Sequence, residues 1–142
     1  MTIAAILQGK GRDVIQVRST DSVLSVVTLL AERRIGCVPV VDDGQVVGIF
    51  SERDLVYRVA TEGAAALDRP VSDVMTAPAI TIDDQTPVMS GLSLMTKRRI
   101  RHLPVVVDGE LIGLISIGDL VKFRIDRIES EAAALRDYIQ TA

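Results

Sequence analysis

The chain has a single cysteine, a single histidine, no tryptophan, and only two tyrosines and two phenylalanines among its 142 residues. Each shortage closes off a class of chemistry. One thiol, Cys37, excludes an internal disulfide and a multi-thiolate metal site, and it agrees with a reducing compartment. One imidazole means that a Ser–His–Asp triad would have to be built around His102, and no G-x-S-x-G elbow accompanies it. A basic face is missing too. The formal charge is −3 and the isoelectric point is near 5.1, so a nucleic-acid duplex would meet few cations and is not an expected partner. No apolar run approaches the roughly 20 residues of a membrane span, and the opening MTIAAILQGKGR lacks the charge order and cleavage site of a secretory signal. The GKGR within it (Gly9–Arg12) has neither the spacing nor the trailing Ser or Thr of a P-loop. Asp42 and Asp43 are explained by turn chemistry, and no ligand set completes a metal site around them. These absences lead to the expectation of a cytoplasmic, non-enzymatic protein with no metal, membrane or nucleic-acid partner.

What is present is a sentence written twice. Pro39 recurs as Pro104, an offset of 65 residues. At that offset RRIGCVPVVDDGQVVGIFSERDLV aligns without a gap on RRIRHLPVVVDGELIGLISIGDLV. Upstream, Ile15 falls on Ile80, Val23 on Val88, Ser25 on Ser90 and Leu29 on Leu94. A unit of about 60 residues is only marginally stable alone, so the copies are expected to pack together.

Each copy reads as β-α-β-β-α. A short alternating strand (VIQV, then AITI) precedes a helix with apolar Val23, Val26, Val27 and Leu30 in copy one, and Val88, Leu92 and Met95 in copy two. Thr86 reads as the N-cap of the second of these helices, with Pro87 at its first position. Two β-branched runs then flank an Asp-Gly turn, and a second helix opens at SERDL or SIGDL. The expected organisation is a helical lead-in at 1–13, repeat 1 at 14–60, a linker with a short helix at 61–78, repeat 2 at 79–124, and a C-terminal helix at 125–142. In that tail Val121, Ile125, Ile128, Ala132, Leu135 and Ile139 are spaced 4, 3, 4, 3 and 4 apart. Such a stripe suits a helix folded back over its own domain or one paired across a dimer.

Ser51-x-x-Asp54 and Ser116-x-x-Asp119 stand where a strand hands over to a helix. S-x-x-D resembles a capping box, which is its plainest reading. Each copy also places a glycine three residues before the serine (Gly48, Gly113), where backbone or ligand can approach closely. With these residues in view, CVPVVDDGQVVGIFSERDL and HLPVVVDGELIGLISIGDL resemble the core motif of cystathionine-β-synthase (CBS) domains, two of which in tandem form a Bateman module. The resemblance runs from about Val14 to Phe123. It implies an α/β (α+β) module with pseudo-two-fold symmetry and two clefts for adenosine ligands, with AMP foremost and ATP, ADP, NAD(H) or S-adenosylmethionine as further choices. By the same resemblance Asp54 and Asp119 meet ribose hydroxyls, while Ser51, Ser116 and the helix starts approach phosphate; a helix N-terminus does favour an anion. Adenine would lie between walls supplied by Val14, Ile15 and Val38 and by Ala79, Ile80 and Leu103.

Basic residues two and three before the motif proline often reach phosphate in members of this family. Copy two has Arg101 and His102 there, whereas copy one has Gly36 and Cys37. Arg53 likewise has no counterpart, because Gly118 takes its place. The cleft of Ser51 and Asp54 is therefore expected to favour the more phosphorylated ligand. The cleft of Ser116 and Asp119 is expected either to stay empty or to accept a ligand whose charge is held elsewhere, for instance by Thr76 or Lys122. Lys97, Arg98 and Arg99 read as the basic end of a helix. The expected function is that of a stand-alone regulatory module, homodimeric through its helices, which senses adenine nucleotide and signals to a partner protein. A constitutive scaffold whose S-x-x-D motifs only cap helices is the alternative.

Overall fold

The computed structural model describes residues 1–141. Its elements are α1 (Ile3–Lys10), α2 (Val23–Arg33), β1 (Cys37–Asp42), β2 (Gln45–Ser51), α3 (Glu52–Glu62), α4 (Val88–Arg98), β3 (His102–Val107), β4 (Glu110–Ser116) and α5 (Ile117–Thr141), with 3-10 turns at Gly63–Asp68 and Val71–Asp73. β1 pairs antiparallel with β2, and β3 with β4. Both hairpins turn through two residues with positive φ, Asp43-Gly44 and Asp108-Gly109. That is the backbone of a type I′ turn, whose twist suits the strands it joins. Each ladder slips by one residue, between Val40 and Val41 and between Val105 and Val106. The second hairpin reproduces the irregularity of the first as well as its register.

The expected first strand of each copy is reduced to a single bridge. Val17 lies parallel to Val40, donating to Pro39 O and accepting from the Val41 amide, and Ile82 does the same with Val105. A segment with one residue in the ladder buries one side chain there: Val17 enters the core of its repeat, while Val14 and Ile15 are only partly covered. The start of α4 also falls one residue later than expected. Pro87 is its N-cap, without a side-chain hydrogen bond, and Thr86 Oγ1 turns back to Asp83 Oδ1. The equivalent cap of α2 is Ser22, whose side chain accepts from the Ser25 amide.

Two hydrophobic cores form, one per repeat. Repeat 1 packs Val23, Val26 and Leu30 of α2 against Val38, Val40 and Phe50 of its hairpin, and closes the cluster with Val71 and Val74 from the linker. Repeat 2 packs Val88 and Met95 of α4 against Leu103, Val105 and Ile115, with Leu120 of α5. Its closing piece is α1: Ile3, Ile6 and Leu7 lie in the core of repeat 2, although they precede repeat 1 in the chain. The docking is anchored by backbone bonds from Ile3 and Ala4 to Thr86 O and Asp84 O. The segment leading into each repeat thus completes the other repeat. Met75 stands over Gly48 in one and Leu7 over Gly113 in the other. Finally, α5 is one uninterrupted helix that runs through residue 125.

Candidate functional site

Among the described residues, two clefts open between the repeats: cleft 1 is lined by both Ser51 and Asp54, whereas cleft 2 is lined by Ser116 and by Lys10, the ion-pair partner of Asp119, but not by Asp119 itself. In cleft 1, β2 ends at Ser51 and α3 begins, with Ser51 and Asp54 closing a full capping box. Asp54 Oδ2 accepts from the Ser51 amide at 2.9 Å, and Ser51 Oγ accepts in return from the Asp54 amide at 3.4 Å. The other carboxylate oxygen accepts from Thr76 Oγ1 at 2.8 Å. Gly48 is what lets the linker come so near: Ile49 and Thr76 exchange both backbone hydrogen bonds beside it. Ile80 forms an apolar wall of this cleft, with Ile100, Arg101 and His102 arriving from repeat 2 and Arg53 from α3. The volume is about 170 Å³. Arg53 also spans the repeats, donating from Nη1 to Arg99 O at 2.9 Å.

Cleft 2 is the pseudo-symmetric counterpart but is built differently. Asp119 Oδ2 accepts from the Ser116 amide at 2.8 Å, and Ser116 Oγ from the Asp119 amide at 3.1 Å. Where Thr76 meets Asp54, a cation meets Asp119: Lys10 Nζ lies 2.5 Å from Oδ2 and 2.7 Å from Leu114 O. Burial would raise the Asp119 carboxyl, but hydrogen bonds from Lys10 and Ser116 outweigh it and hold the group below its ordinary value. Val14 and Ile15 line this cleft with Ser116, and Arg34 brings a second cation from repeat 1. Its volume is about 380 Å³.

The expected site residues therefore divide. Ser51, Arg53, Asp54, Thr76, Ile80, Arg101 and His102 meet in cleft 1, and Val14, Ile15 and Ser116 in cleft 2, which His102 also borders. The apolar walls are crossed, since each repeat's first segment serves the motif of the other repeat. Val38 and Leu103 do not reach either cleft. Side chains alternate along β1 and β3, so the neighbours Cys37 and His102 take the cleft side and these two are fully buried in the cores. Ala79 lies between the two residues Pro78 and Ile80 that line cleft 1 but lines neither cleft itself. Thr76 belongs to cleft 1 rather than cleft 2, and Lys122 is exposed on α5 away from both.

Sequence reasoning missed Lys10, Arg34 and Glu52. Lys10 was visible only as part of a failed P-loop, and the 109 residues separating it from Asp119 left no local signal. Glu52 matters because it lines cleft 1 together with Asp54, balancing the two arginines there. His102 is pulled below the ordinary imidazole range by burial first, then by the nearby cations Arg101 and Lys10, against Asp119 and Glu52. Burial pushes the Cys37 thiol up to about 12, with the Asp54 carboxylate adding to the effect, so this thiol stays protonated and inert.

A duplicated unit whose halves enclose two motif-lined clefts defines a paired-repeat module with inter-repeat binding sites. The chain belongs to the CBS domain family, whose model matches residues 11–61 and 71–126. It is 32% identical to the mitochondrial CBS domain-containing protein CBSX3 of Arabidopsis thaliana, over 98% of this chain and 72% of that protein. Among solved structures, the CBS-domain containing protein ATU1752 from Agrobacterium tumefaciens superposes with a TM-score of 0.84 at 42% identity, covering 87% of this chain and 99% of that one. The CBS domain protein PAE2072 from Pyrobaculum aerophilum, complexed with AMP, superposes with a TM-score of 0.74 at 30% identity, over 84% and 89% of the two chains. No helix among the described residues is long and apolar enough to cross a membrane.

Proposed function

We propose that this protein is a regulatory adenine-nucleotide sensor rather than an enzyme, that it binds an AMP-type ligand between its repeats, and that it passes the bound state to a partner protein. The observation that carries the reading is cleft 1. There a carboxylate, Asp54, and a helix N-terminus stand beside the apolar wall of Ile80, with Arg101 and His102 contributed by the other repeat. A carboxylate accepts from two ribose hydroxyls, an apolar wall takes a purine face, and a helix start with nearby cations favours a phosphate. Because the lining comes from both repeats, a ligand that prefers one relative arrangement of them shifts the population toward it. NAD(H) and ATP are the further candidates. The exposed apolar residues Val56 and Tyr57 on α3 and Met89 on α4 support a homodimer through the helices, and the lone buried thiol suits the cytoplasm.

Charge content does not by itself rank the clefts, since Glu52 offsets cleft 1 and Lys10 and Arg34 enrich cleft 2. The partners of the motif carboxylates do. A hydroxyl holds Asp54 and can rotate aside, whereas a charged amine holds Asp119 and has to be displaced. AMP is therefore expected to fill cleft 1 first. In isothermal titration of AMP, Asp54→Asn should weaken the tighter event at least tenfold and Asp119→Asn should leave it within twofold; equal losses in both variants would refute the ranking.

The scaffold reading has its own support: both capping boxes are complete within the protein. The two readings part in a thermal-shift screen with AMP, ATP, NADH and S-adenosylmethionine. A ligand that binds only the native state raises its apparent stability, and no shift with any of the four favours the scaffold.

A further inference from the structure

From Arg124 to Thr141 every residue of α5 is exposed. At 1.5 Å per residue this segment is about 27 Å long, and as far as Glu131 it borders a groove with Met1 and the start of α4. An exposed helix draws little stability from propensity alone and depends on packing of an apolar face. Such a face is present. Val121, Ile125, Ile128, Ala132, Leu135 and Ile139 form one stripe, in which Ile125 is 49%, Leu135 59% and Ile139 65% exposed. Leu120 and Phe123, which pack on the body, lie on another side of the helix, roughly 130° round from the stripe at 100° per residue.

The charges bordering the stripe identify its occupant. One flank carries Arg124 and Glu131, and the other Glu129 and Arg136. In a parallel, in-register pair each flank residue meets the residue five positions on in the partner. Arg124 then faces the partner's Glu129, and Glu131 faces the partner's Arg136, each contact occurring twice by symmetry. In an antiparallel pair with the same stripe closed, Lys122 faces Arg136, and Glu129 and Glu131 each face themselves. The intrahelical ion pair Arg127–Glu131 at 3.2 Å uses one oxygen of Glu131 and leaves the other free. Ile125 and Ile139 at a with Leu135 at d fit two strands, Val121 and Ile128 at d do not, and the flanking charges carry the choice of a pair.

We propose that α5 joins α5 of a second copy as a parallel, in-register two-stranded coiled coil running from Val121 to Ile139. This surface is separate from the clefts and does not depend on the nucleotide reading.

Single cysteines test it by mild oxidation of the full chain at low micromolar concentration; Cys37 is buried and does not compete. Ile139→Cys is expected to link to itself in most molecules. A mixture of Val121→Cys and Ile139→Cys should give only the two self-linked products, because those ends lie about 27 Å apart in a parallel pair (18 residues at 1.5 Å each). Predominant mixed disulfide would mean antiparallel pairing and overturn the proposal, as would absence of any disulfide. Two charge-swapped chains, R124E/R136E and E129R/E131R, each carrying Ile139→Cys, are expected to self-link at least tenfold more slowly. Mixed together they should recover fast linkage as the heterodimer, a result that misfolding of either chain cannot imitate. Equal linkage rates in all three samples would overturn the charge-directed register.

Discussion

His102 stands where the clefts touch, bordering both together with Gly36 and Cys37. It is also the chain's only histidine, so one set of imidazole resonances reports its titration directly. Burial, with Arg101 and Lys10 close by, disfavours its charged form, and its midpoint is expected below the usual 6.5. A base whose folded value is depressed binds fewer protons folded than unfolded in the window between the two values. Stability therefore falls as the pH drops from about 7 through that window, and is lost no further once the folded group has protonated. His102→Gln should flatten this part of the stability–pH curve. Saturating AMP should move the midpoint upward, because a phosphate favours the imidazolium; an imidazole indifferent to AMP would remove His102 from the phosphate site.

At the level of elements, two glycines in equivalent positions make opposite demands. A Cβ at Gly48 would come within 2.9 Å of Thr76 O, a backbone atom fixed by its pairing with Ile49, and within 2.5 Å of Met75 Sδ. The three atoms nearest a Cβ at Gly113 all belong to the Leu7 side chain, with Cδ2 at 2.5 Å. Gly48→Ala is expected to cost about 2–3 kcal/mol in urea denaturation, within the usual range for overpacking, and Gly113→Ala about 1 kcal/mol, because Leu7 can change rotamer. Equal costs would show that the linker backbone yields as easily as a side chain. These glycines also mark how far the sequence could be read. The duplication, the Asp-Gly hairpins and the S-x-x-D helix starts are local patterns, and each appears where its own residues put it. VIQV and AITI have strand-like alternation, but their ladder needs a parallel neighbour more than 20 residues away, and only Val17 and Ile82 obtain one. Lys10 and Thr76 reach opposite motifs because of where their segments dock, which no short window of sequence encodes. Arg101 and His102 could be marked because a comparison between copies exposes departures from the repeat.

On the scale of the whole molecule, two cores joined across clefts should respond separately to damage. Leu7→Ala removes a fully buried side chain from the core of repeat 2, at an expected cost of about 2–5 kcal/mol. Hydrogen exchange should quicken along α4, β3 and β4 while β1 and β2 keep their protection, and equal loss in both halves would mean that the cores unfold as one. The reciprocal docking of the two lead-in segments also bears on how the chain is made. Repeat 1 has every piece of its core once Val74 has been synthesised, so it can close while the remainder is still being translated. Repeat 2 needs Ile3, Ile6 and Leu7, which are made before repeat 1, together with Ile115 and Leu120, which are made after it. Helix α1 thus has no core to join until repeat 2 has been made, and the growing chain carries its apolar face unburied while both repeats are synthesised.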